Sequence, residues 1–200
     1  MKGDVITVVG IDPGLKGAIV SGRLIEAALP CGRDKWVEMT GIYKMPVTDD
    51  IDGKNLPDPR ALSDLLRNLD PACIILEHVN YRADLMIKSF DATAGRGKRP
   101  RNFATEWRFA QGFGTTLSAC QLTFPDRRTH LASPSAWKAA MGLTNKGKDG
   151  ALDAGWALER KIRPEGAKFA VGQDDNKAEA LLLIEYYRQH LSHLPTMVAF

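Results

Sequence analysis

Four acidic residues stand where an acid is costly. Asp12 closes the largely β-branched run Val5 to Ile11, in Gly10-Ile11-Asp12-Pro13-Gly14, and Glu77 closes the apolar run Cys73-Ile74-Ile75-Leu76. Asp175 and Glu179 lie four apart at the start of an apolar-periodic stretch, so a helix there carries both on one face. The positive end of that helix favours acids in its first turn. A carboxylate on a buried strand must be paired or neutralised, and two at neighbouring strand ends repel. One divalent cation answers both problems. Mg²⁺ prefers oxygen ligands, one or two of them carboxylates, with water and phosphate completing the shell. Each acid also has a plainer role open to it. Asp12-Pro13-Gly14 suits a simple turn, Glu77 suits an ion pair with Arg82 or Lys88, and Asn176 with Glu179 suits a capping box. One shared metal site accounts for all of them together.

A second group of residues suits a polyanion. Arg96, Lys98, Arg99 and Arg101 fall in Ala94-Gly95-Arg96-Gly97-Lys98-Arg99-Pro100-Arg101, which has no acid and reads as a loop because of its Gly and Pro. A solvated surface loop is the simpler reading of that segment taken alone. Phe103, Trp107 and Phe109 follow it. Phe103, nearest the loop, is the residue expected to stack on an opened base. Trp107 and Phe109 are expected to pack in the core. His78, beside Glu77, reads as a hydrogen-bonded structural histidine with a ligand or base role as the alternative; His130 falls in a strand, and Asn80 and Tyr81 lie near enough to Glu77 to line a site.

The elements that must position these residues follow from period and punctuation. Val5 to Ile11 reads as a buried strand, Gly17 to Val20 as a second, with Arg23 to Leu29 continuing a hairpin, and Gly41 to Val47 as a third. Asp49 to Pro59 reads as a loop. Pro59 to Leu69 has the helical spacing Leu62, Leu65, Leu66, Leu69, and Cys73 to Glu77 follows as a strand. A helix is expected over Thr105 to Cys120, weakened by Gly112 and Gly114, and a short strand over Arg128 to Ala132. Ser133-Pro134 opens a helix to Met141 as cap and first residue. Further helices are expected over Lys148 to Lys161 and Asp175 to His193. The mixture predicts one α/β domain over residues 1–200, a mixed sheet flanked by helices.

Bulk properties narrow the class. The 200 residues hold one substantial core. With 44% hydrophobic and 26% charged residues and net charge +3, the chain reads as a globular protein whose charge decides nothing by itself. Cys31, Cys73 and Cys120 are widely spaced and odd in number, so neither a disulfide framework nor a zinc site is expected. No apolar run is long enough to span a membrane, and the start of the chain lacks the order of a secretory signal. A cytoplasmic protein is expected.

At these residues the sequence resembles a known family. Gly10-Ile11-Asp12-Pro13-Gly14, Ile75-Leu76-Glu77 and Lys177-Ala178-Glu179-Ala180-Leu181 resemble, in order, the three acidic motifs of RuvC-like Holliday junction resolvases. The phage and prophage branch is most similar, with its terminal Asp-x-x-x-Glu-Ala-Leu-Leu helix. The resemblance extends through Ser133-Pro134-Ser135-Ala136-Trp137-Lys138 to Gly142 and Lys148. It implies a ribonuclease-H-like fold, a five-stranded mixed sheet with helices on both faces. It implies Asp12, Glu77 and Glu179 as metal ligands with one neighbouring acid. Asp175 is taken as that fourth ligand, because the position three before Glu179 is Asn176 and Asp174 would point about 100° away around the helix. It further implies Lys138 and Lys148 on DNA phosphate or assisting the chemistry, and a homodimer nicking a four-way junction symmetrically. Two-metal phosphodiester hydrolysis with Mg²⁺, or Mn²⁺, is then expected.

Other readings remain beside it. A nuclease of the same fold acting on flaps or RNA–DNA hybrids shares every motif. An inactive branched-DNA-binding protein would keep the surfaces without the chemistry. A sugar-kinase or actin-like ATPase also opens on a strand, Asp and Gly, but needs two such domains around its nucleotide.

Overall fold

The computed structural model describes residues 4–29, 32–49, 53, 55–78, 103–125 and 128–192. Strand β1 (Asp4–Ile11) pairs antiparallel with β2 (Ala18–Leu29), and β2 pairs antiparallel with β3 (Gly32–Lys44). On its other side β1 pairs parallel with β6 (Cys73–Glu77), which pairs parallel with β7 (Arg128–Ala132). The order β3-β2-β1-β6-β7 is the five-stranded mixed sheet expected, and helices cover both faces.

Side-chain alternation sorts the strands onto two cores. Val8 and Ile75 face one core, with Trp137, Ala178, Leu181 and Leu182. Val9, Ile11, Ile74 and Leu76 face the other, with Leu62, Leu66, Ala119 and Cys120. The second core is closed by α1 (Pro59–Leu69) and α2 (Phe103–Thr123), which pack on each other. The first is closed by α3 (Pro134–Ala140), α4 (Gly147–Ile162) and α5 (Asp175–Tyr186). A short π-helical turn, Tyr187–Leu191, extends α5. Helix α1 starts as its sequence predicts: Asp58 accepts from the N–H groups of Arg60 and Ala61, with Pro59 at the first position. Fully burying Leu62 and Leu66 contributes about 1.5–3 kcal/mol each.

Several expectations need correction. The second and third strands are longer than their apolar runs, pairing from Ala18↔Lys44 out to Leu29↔Gly32. Cross-strand ion pairs such as Arg23–Glu38 and Lys35–Glu26 replace apolar burial in that extension. The loop after Pro46 holds a small antiparallel pair, β4 (Val47–Asp49) with β5 (Asn55–Pro57). Trp107 and Phe109 are not core residues; they are 62% and 43% exposed. The cause is a helix whose apolar and polar residues are mixed around its circumference with no marked apolar face: Thr116, Ala119 and Cys120 take the inward side, and Trp107 and Phe109 fall outside it. Cys73 and Cys120 are buried and in no disulfide among the described residues, and burial pushes the Cys120 thiol up to about 12; Cys31 lies outside the described residues. No helix among the described residues is long and apolar enough to cross a membrane.

Candidate active site

Strand parity brings the first two acids together. Ile11 is paired with Leu76, so Asp12 and Glu77 follow side by side at the ends of two parallel strands. Asp12 continues the Val8–Gly10 face and Glu77 the Cys73–Ile75 face, so both belong to the side covered by α5. Helix α5 lies against β1 and β2, with Glu179 in its second turn. The approach is close because Gly10 has no side chain: a Cβ there would stand 2.1 Å from the Ala180 carbonyl oxygen. Helix α4 also crosses α5 closely, though less so: a Cβ on Gly155 would stand 2.7 Å from the Ala178 Cβ.

Asp12 is 7% exposed and Glu77 8%. Asp12 Oδ1 accepts the Gly14 N–H at 3.2 Å, and its own N–H donates to the Ala18 carbonyl at 3.0 Å. Glu77 Oε1 accepts the Trp137 indole N–H at 3.0 Å. Neither acid forms an ion pair among the described residues. Burial, and then the charge of Glu179 and Asp175, raises Asp12 to about 6, against the Gly14 hydrogen bond. Burial, and then the charges of Glu179 and Asp12, raises Glu77 to about 7, against the Trp137 hydrogen bond. The acids therefore feel one another through a poorly solvated space.

The two acids of α5 are matched by lysines. Lys138 Nζ donates to Glu179 Oε1 at 2.7 Å, and Lys148 Nζ donates to Asp175 Oδ2. That bond holds the Asp175 carboxyl below its usual range and raises the Lys148 ammonium. Lys148 stands in the first turn of α4, where the helix dipole disfavours a cation. Asp149 and Asp175 offset that, and so would a phosphate.

Asp174 and Asp175 have separate tasks. Asp174 is the N-cap of α5, accepting from the N–H groups of Asn176 at 3.1 Å and Lys177 at 3.4 Å. The capping box read at Asn176 with Glu179 is thus corrected: Asn176 lies inside the helix. Asp175 is left to Lys148 and to the field of Asp12.

The donor set suits a hard divalent cation: carboxylate oxygens only, two of them buried and destabilised by mutual repulsion. As the side chains stand, no three acidic, histidine or cysteine groups among the described residues close around one point. The ammonium groups of Lys138 and Lys148 hold the α5 acids instead.

Other sequence-predicted residues are placed as follows. Arg96, Lys98, Arg99 and Arg101 lie outside the described residues, with Asn80, Tyr81, Arg82 and Lys88. Phe103 opens α2, and its side chain is likewise outside them. The His78 ring lies tilted against Phe113, centroids 5.6 Å apart, and His130 against Tyr187 at 5.4 Å. Trp137 was not singled out as a site residue, although the Ser133-Pro134 helix start that aims it at Glu77 is plain in the sequence.

No family model and no curated protein matches the chain. Among solved structures it is similar to Thermus thermophilus RuvC, with 14% identity over 92% of this chain and 96% of that one and a TM-score of 0.49. It is similar also to T. thermophilus RuvC in complex with a Holliday junction substrate, with 13% identity, 92% and 95% coverage and a TM-score of 0.49.

Proposed function

We propose that this chain is a divalent-metal-dependent endonuclease that cleaves branched DNA, with the four-way junction as its first substrate. One observation carries the reading. Asp12 and Glu77 lie buried and adjacent, raised to about 6 and 7, facing Glu179 and Asp175 with no cation of the chain on the buried pair among the described residues. Folding keeps such a cluster against its own repulsion when a ligand outside the chain completes it.

Asp12, Glu77, Asp175 and Glu179 would hold Mg²⁺ or Mn²⁺, which supplies an activated water and charge stabilisation at a phosphodiester. Asp12, central to the set and hydrogen-bonded through one oxygen to Gly14, is the acid suited to be shared. Lys138 and Lys148 flank the acids at the mouth of the site. On substrate binding they would exchange a carboxylate for a phosphate oxygen, keeping their charge paired. The basic segment Arg96 to Arg101 would extend the footprint along the backbone. Symmetric nicking of a junction asks for two active sites, which a homodimer supplies.

The test is a substrate panel: a synthetic four-way junction, a flap, an RNA–DNA hybrid and a linear duplex, each with Mg²⁺ and with chelator. Cleavage of the junction in Mg²⁺ alone is expected. Preference for the flap or hybrid would move the substrate within the same chemistry. Tight junction binding without cleavage would make the chain a non-cleaving branched-DNA binder.

A further inference from the structure

Trp137 is completely buried, and a buried indole N–H needs an acceptor. Its acceptor is Oε1 of Glu77 at 3.0 Å. The ammonium of the next residue, Lys138, lies 5.0 Å from the centre of the same ring and is bonded to Glu179. Two successive residues of α3 thus engage the acids of β6 and α5. The register explains how. Glu77 is paired with Ala132, Ser133 caps α3 immediately afterwards, and the first turn of the helix returns Trp137 over the end of β6.

We infer that Trp137 is a positioning residue whose indole N–H presents Glu77 to the divalent cation and sets the affinity for it; this rests on the metal-dependent reading above. A glutamate has a broad terminal torsion, and anchoring Oε1 fixes the carboxylate plane and leaves Oε2 to a ligand. The indole suits this task because it is an uncharged donor with no acceptor capacity. It orients the acid without cancelling its charge. A lysine or arginine in its place would compete with the cation, as Lys138 does at Glu179 and Lys148 at Asp175. Partners of this kind, behind the ligands themselves, typically change metal affinity about 10–100-fold when removed.

Trp137→Phe keeps a ring in the core and deletes the donor. Mg²⁺ binding to the full chain without DNA is measured by calorimetry, beside the Mg²⁺ dependence of junction cleavage. Half-saturating Mg²⁺ should rise about tenfold or more in both, while junction binding in chelator stays near wild type; the thermal midpoint falls by a few degrees, as the smaller ring and lost hydrogen bond require. A variant that binds Mg²⁺ like the wild type overturns the inference and leaves the nuclease reading standing. A wild-type chain that binds no Mg²⁺ overturns both. Should Trp137→Phe fail to fold, the assigned Trp137 indole ¹H–¹⁵N resonance of the wild type decides. Mg²⁺ without DNA must shift it, and an unmoved resonance overturns the inference.

Discussion

A Cβ on Gly10 would stand 2.1 Å from the carbonyl oxygen of Ala180. Strand β1 and helix α5 therefore touch backbone to backbone, two residues before Asp12 and one after Glu179. This contact sets the distance between the halves of the acidic cluster. Gly10→Ala must push α5 away, since a backbone carbonyl cannot turn aside as a side-chain tip can. Overpacking of this kind costs about 1–3 kcal/mol or more, and about 2–4 °C of thermal midpoint per kcal/mol at this chain length. Gly114, with open space where its Cβ would be, is the control. Gly114→Ala should add up to about 1 kcal/mol through helix propensity, which raises the midpoint by about 2–4 °C. Equal midpoints for the two variants would contradict the close approach at Gly10.

Stability without metal should fall as pH rises. Asp12 is raised from 3.8 to about 6 and Glu77 from 4.5 to about 7. Between each pair of values the folded chain holds a proton that the unfolded chain has released, so stability is lost as pH climbs through that window. The loss is on the order of 3 kcal/mol per group. The lowered Asp175 acts in the opposite sense, but only below about pH 4. Urea midpoints in chelator should be lower at about pH 8 than at about pH 5, and Mg²⁺ should recover the difference. Identical midpoints would show that the acids are better compensated than their burial indicates.

Asp12→Asn should stabilise the metal-free protein near pH 8. It keeps the acceptor for the Gly14 N–H and removes the buried charge that Glu77, Glu179 and Asp175 oppose. A rise of about 1–3 kcal/mol in urea-derived stability is expected, and it should vanish near pH 4, where Asp12 is protonated. A destabilised variant would mean that the Asp12 charge is paired in solution.

Lys138 and Lys148 should act on affinity through salt. If each neutralises one phosphate, alanine at either position weakens junction binding at all sequences and reduces the slope of log affinity against log salt by about one. The measurement is fluorescence anisotropy in chelator across a salt series. Neutralising Arg99 and Arg101 tests the basic segment in the same way. An unchanged slope at any of these positions removes it from the footprint.

The legible part of this molecule was the part governed by period and by strand ends. Val8 and Val9 alternate between two cores, and that same parity carries Asp12 and Glu77 to one side. Asp58 and Ser133 mark helix starts that the structure has. The outer β2–β3 ladder was not legible, because its pairing depends on cross-strand partners such as Arg23 and Glu38 rather than on an apolar run. Trp107 and Phe109 misled because apolar and polar residues are mixed around α2, so its sequence does not say which side is inside. Which of Asp174 and Asp175 caps α5 was not legible, because it turns on which carboxylate reaches the Asn176 and Lys177 N–H groups, a difference of one residue in where α5 begins. Trp137 was hidden for a related reason: its partner lies sixty positions away, and only the β6–β7 register brings them together.

The proposed metal-dependent DNA cleavage depends first on Asp12. The most direct measurement is single-turnover nicking of a synthetic four-way junction by wild type and Asp12→Asn, in Mg²⁺ and in chelator, with junction affinity measured on the same samples. Wild type should nick in Mg²⁺ only, Asp12→Asn should not nick, and junction binding by the variant should be undiminished or tighter. Nicking by Asp12→Asn in Mg²⁺, or by the wild type in chelator, would contradict the proposal.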